Sequence, residues 1–299
     1  MIDRSLAVLS FVLAVVVPGI ASAADNDYTY PPLTNDLAPR YEFSGPEATD
    51  IVGVGLGMTR KDAEAAMQAA VPGGELQPGM SGGEQVIGVS DGRGTEVGFV
   101  YYPSDSIYAY SGDDGAGTKQ SERLEVKYST ALTGERVTSI ERDLEFGTQV
   151  QPSLPDFVKA LEAKYGPPTA RQDPSPGAGI LDLWFGWKDG RRAMLDRKEA
   201  AEFPHGALNT SPFYNCLDLG FNRGAYSYMQ NRTDEWPGCT AVLSVKIFVG
   251  RRDDLIKTVQ MDFYDHRRWY DSAAIADKYL ADAFNAALNT TPNAPAPKL

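Results

Sequence analysis

The chain has 299 residues, and its 28 lysines and arginines against 40 aspartates and glutamates give a formal net charge of −12. Nucleic acids and anionic lipid surfaces require clustered positive charge, so this composition argues against both as partners. The length predicts about two domain-sized units. Only two histidines and two cysteines are present, which leaves few ligands for a metal centre or for imidazole chemistry.

The N-terminus has the pattern of a secretory signal peptide. Arg4 precedes an apolar run over residues 6–17, and Ala21-Ser22-Ala23 supplies the small residues that favour cleavage. The run is too short for a membrane-spanning helix, which needs roughly 20 residues, and no cysteine follows the cleavage point to carry a lipid anchor. We therefore expect an exported protein, periplasmic or secreted, that begins at Ala24 after processing and has neither a membrane span nor a lipid anchor.

Export also determines how the cysteines are interpreted. Cys216 and Cys239 are expected to form a disulfide bond, since an oxidising compartment favours the pairing. In the chain-entropy description this bond stabilises the fold by roughly 3.4 kcal/mol. The alternative is a zinc site completed by His205 and His266, but these residues lack the close pairs typical of zinc ligands. We expect no metal and no cofactor.

Two helices are predicted from the same N-terminal signal. Thr59 and Ser153 are N-cap residues, and each is followed three residues later by a carboxylate, Asp62 or Asp156. A run of glycine and proline ends each helix. The predicted helices are Arg60–Ala70 and Leu154–Tyr165.

A series of antiparallel strands is predicted after each helix. After the first helix they cover residues 84–90, 96–102, 122–130 and 136–144. After the second they cover residues 180–188, 191–195, 214–221, 240–249 and 255–264, with a tight turn at Asp189-Gly190. A C-terminal helix is predicted over residues 272–288.

The fold class that follows is α+β, with two tandem helix-plus-antiparallel-sheet repeats and a C-terminal helix. The closing strands support the repeat, because Val137, Ile140 and Asp143 align at one constant spacing with Ile256, Val259 and Asp262. The predicted organisation is a signal peptide (1–23), an extended N-terminal segment (24–48), a first repeat (49–147), a second repeat with the C-terminal helix (148–288) and a flexible tail (289–299).

The segment Leu56-Gly57-Met58-Thr59, which enters an alanine-rich helix, resembles the opening of SmpA/OmlA-like and β-lactamase-inhibitor-like αβ modules. The second copy departs from this pattern, because Pro152-Ser153 stands where Met58-Thr59 stands in the first. The inhibitor proteins carry such modules in tandem, and the group consists of exported, non-enzymatic proteins. The resemblance therefore implies a protein that works through protein contacts.

Three glycine-containing motifs carry possible chemistry. Gly79-Met80-Ser81-Gly82-Gly83 satisfies the nucleophile-elbow pattern of serine hydrolases, but the helix precedes it and the strand follows it, the reverse of what that turn needs. Gly53-Val54-Gly55-Leu56-Gly57 does not complete the pattern of a dinucleotide loop, because the third glycine of that pattern would stand at position 58, which is Met58. The segment predicts a short strand instead. Asp113-Asp114-Gly115 lacks the ligand spacing of a calcium loop and predicts a solvated hairpin.

Aromatic residues and arginines give the candidate binding surface, because these residue types dominate interface hot spots. The candidate partner-binding residues are Tyr101, Tyr102, Tyr108, Tyr110, Arg267, Arg268, Trp269 and Tyr270. Surface packing is the alternative for the tyrosines, and solvated charge for the arginines. Trp184 and Phe185 lie on one predicted strand with opposite orientations, so at least one belongs to the core.

The sequence contains no complete catalytic motif and favours a non-catalytic binding or accessory protein that recognises another envelope or secreted protein. The alternative from a different class is a hydrolase of a cell-envelope polymer that uses a pair of carboxylates or Ser81. A small-ligand or carbohydrate binder with a Trp/Tyr cleft is the third possibility.

Overall fold

The computed structural model describes residues 49–79, 85–90, 96–111, 120–147, 151–173, 179–188, 190–193, 240–250 and 255–290. Within these residues the protein is a mixed α/β structure with three helices and a large antiparallel sheet. The elements in chain order are β1 (Asp50–Ile51), β2 (Val54–Gly55), α1 (Arg60–Ala70), β3 (Glu75–Pro78), β4 (Gln85–Ser90), β5 (Glu96–Tyr102), β6 (Ser104–Ser111), β7 (Gln120–Tyr128), β8 (Val137–Glu145), α2 (Leu154–Tyr165), β9 (Ala170–Gln172), β10 (Ile180–Lys188), β11 (Arg191–Ala193), β12 (Ala241–Val249), β13 (Ile256–Asp265) and α3 (His266–Thr290).

The main sheet has nine strands. Its order is β11-β10-β12-β13-β8-β7-β6-β3, and β9 pairs with β10 outside this path. All of these pairings are antiparallel, and β8 and β13 lie at the centre. Strands from residues 49–147 and strands from residues 148–288 therefore join in one sheet. Two small sheets, β1–β2 and β4–β5, stand apart from it.

Helices α1 and α2 cover one face of this sheet, because both are amphipathic and bury their apolar side against it. Met67 of α1 and Leu161 of α2 share one hydrophobic cluster with Val126, Ile140 and Phe263 of the central strands. Burial of such side chains is the main stabilising term of the fold. The same cluster spans both halves of the chain, so the two helices rest on a common core.

Both helices have the predicted bounds and the predicted caps. Thr59 Oγ1 accepts the backbone N–H of Asp62 at 3.2 Å, and Ser153 Oγ accepts that of Asp156 at 3.3 Å. Each cap satisfies a backbone donor that has no partner within the helix. The helices are therefore positioned by local sequence that could be recognised without the fold.

Each helix is also attached at its entrance to a central strand. The N–H of Val137, at the start of β8, donates to the carbonyl oxygen of Met58 at 2.9 Å. The N–H of Ile256, at the start of β13, donates to the carbonyl oxygen of Pro152 at 3.0 Å. The first residue of each central strand thus binds the residue that precedes a helix cap.

Helix α3 begins at His266, six residues before the predicted start at 272. The reason is a cap provided by Asp265, the last residue of β13, whose Oδ1 accepts the N–H of Arg268 at 2.9 Å. Strand β13 consequently passes directly into α3, which lies against the β4–β5 hairpin. The approach is close, since a Cβ at Gly98 would lie 2.9 Å from the Cβ of Ala283.

The strand β6 was not predicted, because its Ser and Asp residues and the preceding Pro103 are typical of a loop. In the structure β6 pairs with β7 along its whole length and with β3 at its start. The short strand predicted at Gly53–Gly57 is present as β2. Trp184 and Phe185 of β10 are both completely buried, which confirms that at least one belongs to the core.

Candidate functional site

The candidate site lies on the face of the nine-stranded sheet opposite α1 and α2, which we call the polar face. Successive side chains of a strand point to opposite faces of the sheet. In strands that bury every second side chain under the helices, the alternate side chains therefore lie on the polar face. In β7, Leu124 and Val126 belong to the apolar cluster. Arg123, Glu125 and Lys127 alternate with them and lie on the polar face.

The register of the central strands brings further charged residues together. Glu125 lies opposite Glu141 of β8, and Glu141 lies opposite Asp262 of β13. On β12, Ser244 lies opposite Asp262. We call the charged residues of this face the charged ladder: Arg123, Glu125, Lys127, Glu141, Asp143, Asp182, Lys246 and Asp262.

On the β7–β8 side of the charged ladder, direct ion pairs compensate the carboxylates. Arg123 Nη2 lies 2.8 Å from Oδ2 of Asp143, and its Nη1 lies 3.0 Å from Oε2 of Glu125. Lys127 Nζ lies 2.6 Å from Oε1 of Glu141. Burial lowers the pKa of Arg123, but the surrounding carboxylates, Asp143 first, raise it by more.

On the other central strand, Asp262 has a different environment. Burial raises its pKa, and repulsion from Glu141 and Asp143 raises it further, to about 7, although Lys127 and Lys246 oppose the shift. The ion pairs of this face join Arg123 to Glu125, Glu141 and Asp143, and Lys127 to Glu141; none of those found among the described residues includes Asp262. Its charge is therefore influenced by cations only from a distance.

A second carboxylate of the polar face, Asp182 of β10, shares this situation. It is only 9% exposed, and its Oδ1 accepts no hydrogen bond from the residues that the structure describes. Burial raises its pKa, and Lys246 opposes the shift. Lys246 lies opposite Asp182 in the register and acts on Asp262 as well, so one lysine serves two carboxylates.

The middle of the polar face is more open than its flanks. Glu125 on one side and Trp184 on the other are completely buried. Between them, the side chain of Asp143 of β8 is 35% exposed, and Gln260 of β13 is exposed. A ligand can consequently reach the central strands at Asp143 and Gln260, whereas Ser139 and Ser244 of the same face are buried.

This arrangement can bind charge and can exchange protons. Glu141, held by Lys127, lies directly opposite Asp262, whose pKa of about 7 suits proton transfer near neutral pH. Among the residues that the structure describes, no group of three or more His, Cys, Asp or Glu side chains could hold a metal ion.

The predicted aromatic residues fall into two environments. Tyr102 is 8% exposed and stacks on Trp269, with ring centroids 6.0 Å apart, which connects the β4–β5 hairpin to α3. Tyr108 is half-buried on the polar face, opposite Arg123 of the charged ladder. Tyr101 is half-buried in β5, and Tyr110 lies in β6.

The predicted basic residues at the start of α3 form internal ion pairs. Arg268 is 8% exposed, and its Nε lies 3.1 Å from Oδ2 of Asp265. Its guanidinium also faces Gly57, where a Cβ would lie 2.7 Å from Nη2. Arg267 Nε lies 3.3 Å from Oδ2 of Asp271. Tyr270 is half-buried in the same turn.

Several predicted residues lie outside the described part of the chain. They are the signal peptide (1–23), the segment 24–48, Ser81, Asp113, Asp114, His205, Cys216, Cys239, the strand predicted over 214–221 and residues 291–299 of the predicted tail, whose first two residues belong to α3. Of the four residues considered for zinc, only His266 is described. It is buried and stacks on Tyr264 with ring centroids 5.9 Å apart, and burial lowers its pKa to about 4.

The charged ladder was missed by reasoning from the sequence, although part of its signal is visible there. Residues 122–127, Glu-Arg-Leu-Glu-Val-Lys, place a charged residue at three successive alternate positions of a predicted strand, Arg123, Glu125 and Lys127. What the sequence does not show is the pairing of β8 with β13, which brings Glu141 and Asp262 together.

No protein-family model, curated protein or solved structure matches this chain. No helix in the described ranges is both long enough and apolar enough to cross a membrane. The function is therefore argued from the site itself.

Proposed function

We propose that this chain is an exported, non-catalytic binding or accessory protein, which recognises another envelope or secreted protein through its polar face. The observation that carries the proposal is the charged ladder. On its β7–β8 side the side chains hold one another on paired strands, with Arg123 in contact with Asp143 and Glu125. Charges that are positioned before binding lose little entropy on association and give specificity for a complementary partner.

The test is affinity capture from an envelope extract of the source organism, with the chain from residue 24 to residue 299 as bait. Gln260 is exposed on the polar face between Asp143 and Lys246, so Gln260→Lys changes that surface without removing an ion pair. Glu162→Gln on α2 makes the same change of charge away from it. We expect one protein to be recovered in near-stoichiometric amount and lost with Gln260→Lys only. Equal capture by both variants, or recovery of the bait alone, would contradict the proposal.

The accessory role also requires export. We propose cleavage after Ala23, a periplasmic or secreted location without a lipid anchor, and a Cys216–Cys239 disulfide. The sequence features of the N-terminus support this. N-terminal sequencing of the protein from fractionated cells and thiol titration of the denatured, unreduced chain test it. A retained N-terminus, or two free thiols, would contradict it.

We also propose that the two halves of the chain are tandem repeats, related to the modules that the Leu56–Thr59 segment resembles. The matching helix caps support the repeat, as do the equivalent bonds from Val137 to Met58 and from Ile256 to Pro152. The polar face would then be built from both copies.

A second candidate function is hydrolysis of an envelope polymer, and the pair formed by Asp262 and Glu141 is the observation that favours it. Asp262 would act as the general acid, and Glu141 as the partner carboxylate. Asp262→Asn and Glu141→Gln should each abolish polymer cleavage while the fold persists. A carbohydrate cleft built on Trp184 or Trp187 has less support, because both are completely buried.

A further inference from the structure

Two carboxylates of the charged ladder, Asp182 and Asp262, are short of positive charge. Neither forms an ion pair with a lysine or arginine of the described ranges, and Oδ1 of Asp182 accepts no hydrogen bond although the residue is more than nine-tenths buried. Lys246 is the cation that acts on both. A buried carboxylate without a nearby countercharge is unfavourable, so a ligand that brings a positive charge gains free energy here.

The β7–β8 side of the same face shows which group satisfies such a carboxylate. There Arg123 reaches Asp143 with both Nε and Nη2, at 2.9 and 2.8 Å. On the other side, the strand next to Asp262 supplies Ser244, whose side chain is too short and carries no charge. No residue of β12 thus places a guanidinium beside Asp262 in the way that Arg123 of β7 does beside Asp143.

We infer that the region around Asp262 and Asp182 takes up the guanidinium or ammonium group of an arginine or lysine side chain of the protein partner. The inference rests on the proposed function, since the cation comes from the bound protein. A planar guanidinium fits best, because it can donate two parallel hydrogen bonds to one carboxylate. Asp262 is half-buried and can be reached, and Asp182 adds negative potential from β10, two strands away on the same face.

The probe that tests this chemistry is N-acetyl-arginine amide, with the neutral N-acetyl-citrulline amide as its matched control. The side-chain carboxyl carbons of Asp262 and Asp143 are followed by NMR in the full mature chain during pH titrations. The arginine compound should lower the pKa of Asp262 by about one unit at saturation, because an opposite charge favours the ionised form. It should leave Asp143, which already has Arg123, unchanged.

Ser244→Arg supplies the second measurement, because it places an arginine of the chain itself at the site. This variant should no longer respond to the arginine probe, and it should bind the captured partner about ten-fold more weakly. Ser244→Gln, of similar polarity but uncharged, should keep both responses.

The outcomes separate the inference from the proposed function. An equal response to the arginine and citrulline compounds, or no response to either, overturns the inference even if a partner is captured on the polar face. A specific response to the arginine compound without any captured partner overturns the proposed function. It also overturns the part of the inference that assigns the cation to a partner protein. If Ser244→Arg loses the probe response and partner binding while Ser244→Gln keeps them, the result supports the inference and the proposed function.

Discussion

Asp143 and Asp262 align in the sequence, lie on the two central strands and share one face of the sheet, yet their surroundings differ. Asp143 lies between Arg123 and Gln260, and Arg123 is 2.8 Å away. Asp262 lies between Ser244 and Glu141, so it has a neutral neighbour on one side and a carboxylate on the other. One residue on each neighbouring strand therefore decides whether the carboxylate is compensated within the chain.

The first turns of α1 and α2 differ in a related way. Arg60 of α1 binds Asp105 through Nε and Nη2, at 2.9 and 2.8 Å. Leu154, at the same place in α2, packs against the hydrophobic cluster. The two halves thus have the same backbone arrangement at this point and hold it with different chemistry, an ion pair in one and apolar contact in the other. Such a difference shows that the backbone arrangement does not determine the charges it carries.

The largest expected effect comes from removing Arg123, which compensates Asp143 and has no equivalent beside Asp262. Arg123→Ser gives Asp143 a serine as its neighbour on β7, just as Asp262 has Ser244 as its neighbour on β12. Because Glu125 is completely buried and loses its ion pair with Arg123, we expect a loss of about 3–5 kcal/mol in the free energy of unfolding. Urea denaturation at neutral pH measures it.

The control is Lys164→Ser, which removes an ion pair between Lys164 and Asp50, where both side chains are about one-third exposed. It should cost less than about 1 kcal/mol. Equal losses in the two variants would show that Arg123 is no more important to the fold than a surface lysine.

Asp262 should make the protein less stable as the pH rises. Its folded pKa of about 7 lies above the ordinary aspartate pKa of 3.8, so the native state holds this proton more tightly than the unfolded chain does. This contribution is complete below pH 4 and is lost as the pH rises through 7, a change of up to about 4 kcal/mol. Asp262→Asn should remove the loss and be more stable than the parent at pH 8.

Unfolding free energies measured from pH 4 to pH 8 test this, with Asp173→Asn as the control, because that carboxylate is 71% exposed. A stability difference between Asp262→Asn and the parent that stays constant over the range would contradict the assignment.

A smaller effect should follow when Asp262 receives its own arginine. Ser244→Arg should lower the pKa of Asp262 by about 1–3 units, since a guanidinium beside a carboxylate stabilises the charged form. The titration of the Asp262 carboxyl carbon measures the change directly, and Ser244→Gln should leave the pKa near 7. A value unchanged in Ser244→Arg would mean that β12 cannot present a side chain to Asp262.

Local signals in the sequence predict much of the fold. The bounds of α1, α2, β5 and β10 agree with the prediction, because helix caps and alternating apolar residues act over a few positions. The predicted start of α3 is six residues too late, because Asp265 was not identified in the sequence as a helix cap. The strand β6 was missed because its pairing with β7 outweighs a composition typical of loops.

The site was less predictable than the fold, for a physical reason. Asp262 receives its raised pKa from burial and from Glu141 and Asp143, which lie far from it in the chain and meet it only through the pairing of β8 with β13. Tyr102 and Arg268 have residue types common at interfaces, yet stacking and an internal ion pair account for them. Residue type alone does not distinguish these two uses.

The smallest expected effect compares the two helix caps, where the halves are most alike. Thr59→Ala and Ser153→Ala each remove a side-chain acceptor for a backbone N–H, so each should cost about 1 kcal/mol. Because the two caps lie in different helices and share no partner, the double variant should lose the sum of the two. Thr59→Ser, which gives α1 the cap residue of α2, should be close to neutral. The result would contradict this expectation if the two single variants lost unequal free energies of unfolding, or if the double variant departed from their sum. It would then follow that the Arg60–Asp105 ion pair next to Thr59 changes the contribution of the first cap.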